Sequence, residues 1–189
     1  EELSRGYFTL GPAVERLETT WAEVCGTKHA IGVNSGTDAL IIAMIAARIG
    51  TDRQQGFNDE VITCPNTFVA TVGAIVAVGA TPRFVDAGPD YLMDMREVDR
   101  AVNKRTKAIM PVDLTGNPVA THTGSWRGLV IRDACQSIGA KMSGISSGKL
   151  ADLAAYSLHP LKNVHACGDG GIIVTDNDAY AHWIRLYRN

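Results

Sequence analysis

The sequence lacks the features that mark membrane, nucleic-acid and oxidised extracellular proteins. No run approaches the length of a bilayer span, and no charged-then-apolar leader is seen at its start. Lysine and arginine (18) do not outnumber aspartate and glutamate (20), and the net charge of −2 gives no basic surface for a phosphate backbone. The four cysteines, Cys25, Cys64, Cys135 and Cys167, form no CxxC pair. Three of them end apolar segments, where a free thiol packs as a small hydrophobe. Reduced thiols in a cytoplasmic protein are the expectation. No internal repeat or low-complexity segment occurs.

The chain has 189 residues, 46% hydrophobic and 20% charged, enough for one domain with a real core. An extended arm, Tyr7–Pro12, leads to a helix with Val14, Leu17, Trp21 and Val24 at helical spacing and Gly26 at its end. Ala30–Val33 reads as a strand, Asn34–Asp38 as a polar turn, and Ala39 to about Arg48 as a helix. Glu60–Cys64 is a buried strand, followed by a nearly all-apolar helix, Val69–Val78. Arg83–Asp86, Lys107–Leu114, Leu129–Asp133 and Leu153–Leu158 continue the strands, with an amphipathic helix at Asp94–Val102. Gly50–Asn58 is read as an unusual turn. Thr115–Gly128 should be a loop with at most a short helical turn, because Gly116, Pro118, Gly124 and Gly128 break helical periodicity. Strands alternating with helices predict an α/β fold, a mainly parallel, doubly wound sheet with flanking helices. Gly170–Thr175 returns too soon for a crossover helix and should be antiparallel to its neighbour. A last helix starts near Asn177.

Ligands of such sheets bind beyond the carboxyl ends of the strands. Several residues with useful chemistry fall there. Ser35, Gly36 and Thr37 lie between a strand and a helix N-terminus, an arrangement that favours anions. The plainer reading is an N-cap by Ser35, Thr37 or Asp38. Phe68 stands at a strand-to-helix corner, where an aromatic is ordinarily core. Asp133 ends an apolar strand and is followed by Ala134-Cys135-Gln136; it could merely cap a turn. Ser157 closes another strand ahead of Leu158-His159-Pro160-Leu161-Lys162-Asn163 and Gly168-Asp169-Gly170-Gly171. A lysine held where strand ends meet loses water, which favours the neutral, nucleophilic amine. Lys162 is otherwise one more surface lysine.

The Ser-x-His-Pro-x-Lys-Asn run with its following glycines resembles the lysine segment of the DegT/DnrJ/EryC1/StrS sugar aminotransferases, which are fold-type I pyridoxal-phosphate enzymes. The resemblance extends to the Pro-x-x-Thr-aromatic pattern at Pro65–Phe68 and to Asp133-Ala134-x-Gln136, so it covers essentially the whole chain. It implies that Lys162 carries pyridoxal 5'-phosphate as a Schiff base and transfers protons. It further implies that Phe68 stacks on the ring, Asp133 pairs the pyridine nitrogen and Gln136 approaches the phenolic oxygen. Ser35, Gly36, Thr37 and Ser157 would hold the phosphate. The implied partners are a nucleotide-sugar substrate, an amino-acid donor such as glutamate, and a second copy of the chain. Residues 1–189 would form the cofactor-binding large domain, with the smaller C-terminal domain outside this chain. Arg132 departs from the pattern, since an acidic residue usually precedes the aspartate.

Three other readings compete. A dehydratase of the same family carries histidine where Lys162 stands. A non-catalytic relative or fragment would bind cofactor or partner without turnover. His159, His165, Cys167 and Asp169 lie close enough in sequence to suggest zinc, yet their spacing matches no familiar finger.

Overall fold

Short apolar runs alternate with helical stretches, and in the computed structural model they assemble into one mixed sheet covered on both faces. The structure describes residues 3–7, 9–50, 58–121 and 124–188. Phe8 of the expected arm, positions 51–57 of the Gly50–Asn58 segment, and His122 and Thr123 of the expected loop lie outside the described residues.

Helix α1 (Pro12–Cys25) opens on its proline, whose missing N–H costs nothing at that position. Strand β1 (His29–Val33) leads into α2 (Gly36–Ala46), and β2 (Glu60–Thr63) into α3 (Val69–Ala77). Then come β3 (Thr81–Phe84), α4 (Met95–Ala101), β4 (Thr106–Ile109) and β5 (Leu129–Asp133). A small hairpin, β6 (Lys141–Met142) with β7 (Ile145–Ser146), precedes β8 (Leu153–Ser157), β9 (Gly171–Thr175) and α5 (Asp178–Tyr187). Among the described residues no helix is long and apolar enough to cross a membrane.

The seven-stranded sheet has the order β1-β9-β8-β5-β4-β2-β3. Strands β3, β2, β4, β5 and β8 run parallel. Strand β9 is antiparallel to both β8 and β1, which restores β1 to the common direction. The carboxyl ends of β1, β2, β5 and β8 therefore open on one edge of the sheet, together with the amino end of β9.

Side chains alternate between two cores, as the period of a strand requires. Ile31, Leu153, Ala155 and Ile173 face α2, α3 and α5, whereas Ala30, Ala154, Tyr156, Ile172 and Val174 face α1. A third cluster beneath α4 joins Ile62 and Ile109 to Met95 and Val98. Helix α2 is apolar on nearly every side because it lies between the sheet and its neighbours α3 and α5.

Several boundaries differ from the expectation. Strand β4 stops at Ile109 rather than Leu114, because Pro111 has no N–H to donate to a ladder. Pairing resumes only as a bridge, with Asp133 N–H donating to Pro111 O and Asp113 N–H to Asp133 O. Strand β3 starts at Thr81, two residues before Arg83, set by its pairing with Glu60–Thr63. The β6–β7 hairpin was not anticipated. Ser143 and Gly144 both take positive φ at its turn, as a tight two-residue hairpin demands. The described part of the Thr115–Gly128 segment forms no α-helix, as expected.

Candidate active site

A cleft of about 320 Å³ lies at the carboxyl edge of the sheet. Each functional residue expected from the sequence lines it. They come from four separate chain segments, and the sheet topology brings them together.

The turn after β1 forms one end. Ser35 Oγ accepts Asp38 N–H at 3.0 Å, so the plainer reading, an N-cap, is right for this hydroxyl. The cap uses an oxygen lone pair and leaves the O–H proton to donate. Gly36 and Thr37 occupy the first turn of α2, where amides have no intrahelical acceptor. A Cβ on Gly36 would stand 2.7 Å from Ser157 Cβ and 3.0 Å from Cys135 Sγ. Only glycine lets the turn settle against β5 and β8. Gly171 is equally constrained: it pairs with Val33 on one side and Ser157 on the other, and a Cβ there would meet Ser35 O at 2.2 Å. Ser157 Oγ accepts the His159 N–H at 3.3 Å, which again leaves its proton available.

Asp133 sits at the cleft floor and is only 5% exposed. Its Oδ2 accepts Thr71 Oγ1–H at 2.6 Å, and its Oδ1 accepts Cys135 N–H at 3.2 Å. Burial first, and then the neighbouring Asp133 charge, pushes the Cys135 thiol well above its usual range. It remains a protonated packing group.

Phe68 does not behave as the core aromatic of the plainer reading. It occupies the N-cap position of α3 and is 63% exposed, with its ring on the cleft. Lys162, in the loop after β8, reaches over it, its Nζ 5.8 Å from the ring centroid. The loop is fixed by Lys162 N–H donating to His159 O and Leu161 N–H donating to His159 Nδ1. Lys162 Nζ also donates to Gln136 Oε1 at 3.4 Å, while Gln136 Nε2 donates to Leu114 O at 2.6 Å. Gln136 therefore bridges the lysine to the segment after β4.

Other residues of the site escaped the sequence reading. Thr71 was counted only as part of an apolar helix, although Thr67, just ahead of that helix, brings its hydroxyl to 2.7 Å from that of Thr71. Asp113 lay inside an expected strand. It accepts Arg132 Nη1–H at 2.6 Å, with both side chains fully shielded from water. Arg132 and Asp133 are adjacent in β5 and serve opposite faces. Among the described residues no group of three or more His, Cys, Asp or Glu is arranged to hold a metal ion.

Comparison with known proteins identifies relatives of the chain and of its fold. A "Pleiotropic regulatory protein" of Geobacillus stearothermophilus is 41% identical over the whole chain, which covers 50% of that protein. A dTDP-3-amino-3,4,6-trideoxy-alpha-D-glucose transaminase of Micromonospora megalomicea subsp. nigra is also 41% identical, with 97% of this chain and 49% of the relative aligned. The chain thus spans about half the length of the curated relatives it matches. The crystal structure of Streptomyces venezuelae DesV in complex with a ketimine intermediate superposes with a TM-score of 0.90 at 36% identity, covering 99% of this chain and 50% of that one. The family model of the DegT/DnrJ/EryC1/StrS aminotransferases matches residues 1–189, and the chain belongs to that family.

Proposed function

We propose that residues 1–189 form the cofactor-binding large domain of a pyridoxal-phosphate aminotransferase, one that moves an amino group from an amino-acid donor to a nucleotide-linked keto-sugar. The observation that carries this reading is the single cleft shared by Lys162, Asp133, Phe68 and the β1–α2 turn. The residues fit the cofactor chemically. At one end are first-turn amides and the hydroxyls of Ser35, Thr37 and Ser157 for a phosphate, and at the floor is a nearly buried carboxylate for a ring nitrogen. Between them lie an exposed aromatic face and a primary amine. Bound there, pyridoxal phosphate supplies the electron sink that makes an amino acid's α-proton removable.

The chain's own residues then have distinct tasks. Lys162 Nζ would hold the cofactor through its aldehyde and, as a free amine, would move the proton as base and then acid. Asp133 would keep a proton on the ring nitrogen. Phe68 would pack on the ring and exclude water from it. Gln136 contacts the phenolic oxygen and orients Lys162 through the contact already present. Ser35, Gly36, Thr37 and Ser157 bind the phosphate. Lysine rather than histidine at position 162 speaks for transamination over sugar dehydration. The four unpaired cysteines agree with a cytoplasmic setting. Phe68, Val69 and Leu161 stand exposed at and beside the cleft mouth, and we place a second copy of the chain over them.

Peptide mapping tests the reading. The full chain mixed with pyridoxal phosphate and reduced with borohydride should carry the cofactor on Lys162, and Lys162→Ala should lose that adduct. An adduct on Lys141 or Lys149 instead overturns the assignment. A second reading, binding without turnover, is favoured by the relative named as a regulatory protein. Adding glutamate separates the two: conversion of the cofactor to its amine form means transamination, and an unchanged spectrum means binding alone.

A further inference from the structure

Asp133 lines the cleft floor almost fully buried, and two threonines grip it, Thr71 within α3 and Thr67 just ahead of that helix. Thr71 is fully buried, and its hydroxyl lies 2.6 Å from Asp133 Oδ2. Thr67 Oγ1 lies 2.7 Å from the same Thr71 hydroxyl. The direction of the chain of hydrogen bonds follows from donor counting. A carboxylate only accepts, so the single proton of Thr71 goes to Asp133. The lone pair of Thr71 then accepts the proton of Thr67. A helical threonine ordinarily returns its hydroxyl to the carbonyl four residues back. Thr71 instead spends it across the interface between α3 and β5.

The placement of Phe68 gives this relay a second consequence. Phe68 immediately precedes α3, and Thr71 N–H donates to Phe68 O at 3.1 Å. One residue therefore ties the exposed ring to the buried acid. The spacing between the ring-stacking face and the ring-nitrogen partner is set by Thr71.

We propose that Thr71, oriented by Thr67, is a positioning residue that fixes the Asp133 carboxylate and registers Phe68 against it, so that a ring nitrogen held there keeps its proton. This rests on the pyridoxal-phosphate reading of the cleft. With the Thr71 hydroxyl gone, Oδ2 loses its hydrogen bond, the carboxylate is free to turn, and it no longer faces a ring nitrogen squarely enough to hold its proton.

The test uses the full chain and pyridoxal phosphate labelled with 15N in the ring. In Thr71→Val, an isosteric change, the ring 15N resonance should move toward the unprotonated position, and cofactor affinity should fall about five-fold, the weight of one hydrogen bond. Thr71→Ser keeps the hydroxyl and should return both readouts to wild type. Thr67→Val should shift the resonance in the same direction by less. A resonance unmoved in Thr71→Val, or equal shifts in the valine and serine variants, overturns the proposal and assigns Thr71 to packing. If Thr71→Val fails to fold, Thr67→Val decides, because an unmoved resonance there removes the relay. A wild-type chain that takes no cofactor onto Lys162 is a different result: it brings down the parent reading, and this one with it.

Discussion

Arg132 donates to Asp113 Oδ1 at 2.6 Å across a space with no access to water, although the two residues lie 19 apart in sequence. The same guanidinium donates to Val119 O, while Asp113 accepts from Val119 N–H, Ser137 Oγ–H and Ser147 Oγ–H. Positive charge next to Asp133 is tolerated because its acid lies on the far face of the sheet. The pair also staples the Asp133–Ser137 turn to the segment that Gln136 contacts.

Breaking that pair from one side should be costly. Arg132→Leu leaves Asp113 buried without its cation and should destabilise the fold by about 3–5 kcal/mol. Urea denaturation measures it. The double variant Arg132→Leu with Asp113→Leu should recover part of the loss, since no lone charge remains. A single variant within about 0.5 kcal/mol of wild type, the range of ordinary surface substitutions, would show that the pair is not structural.

Gly36→Ala tests the proposed role of the β1–α2 turn in holding the phosphate. The new methyl meets Ser157 Cβ and Cys135 Sγ, and neither is the end of a flexible side chain. The turn must move away from β8, so pyridoxal-phosphate affinity should fall by about ten-fold or more, equivalent to roughly 1.4 kcal/mol. Absorbance titration reads it. Unchanged affinity would place the phosphate elsewhere.

Acid sensitivity should involve Asp94. It caps α4, accepting Arg96 N–H at 2.9 Å, and its bond to the Arg96 side chain lowers its pKa from 3.8 to about 2. The folded value lies below the unfolded one. Its contribution is therefore complete above pH 3.8 and is lost as pH falls toward about 2. Asp94→Asn caps without ionising, so its stability should change less than wild type across that window. Parallel acid-unfolding curves for the two proteins would refute this.

The parts legible in the sequence were those governed by local chemistry. Gly-containing turns after apolar strands located Ser35–Thr37 and Ser157, and the doubly wound pattern implied that they meet at one edge. Where side chains find partners far along the chain, local pattern was silent. Nothing near Arg132 announces Asp113, and nothing near Thr71 announces Asp133. Pro111 was visible, but the wide apolar run around it hid its effect on β4. Phe68 was ambiguous because an aromatic at a strand-to-helix corner packs inward unless the corner opens on a cleft.

The position of β9 bears on how the chain is made. Among the described residues β1 joins the sheet only through β9, and the join is sealed by Lys28 N–H donating to Asp176 Oδ1, 148 residues later. On a ribosome that interval lasts roughly 7 to 30 seconds at ordinary elongation rates. For most of it, α2 has been synthesised with apolar residues on nearly every side and no completed sheet to cover them. The Ser35–Gly36 turn likewise has no Gly171 to rest against. Cofactor cannot guide the early stages of such a chain; it can only lock the finished one. The stretch from β1 through α2 is therefore made early and covered late.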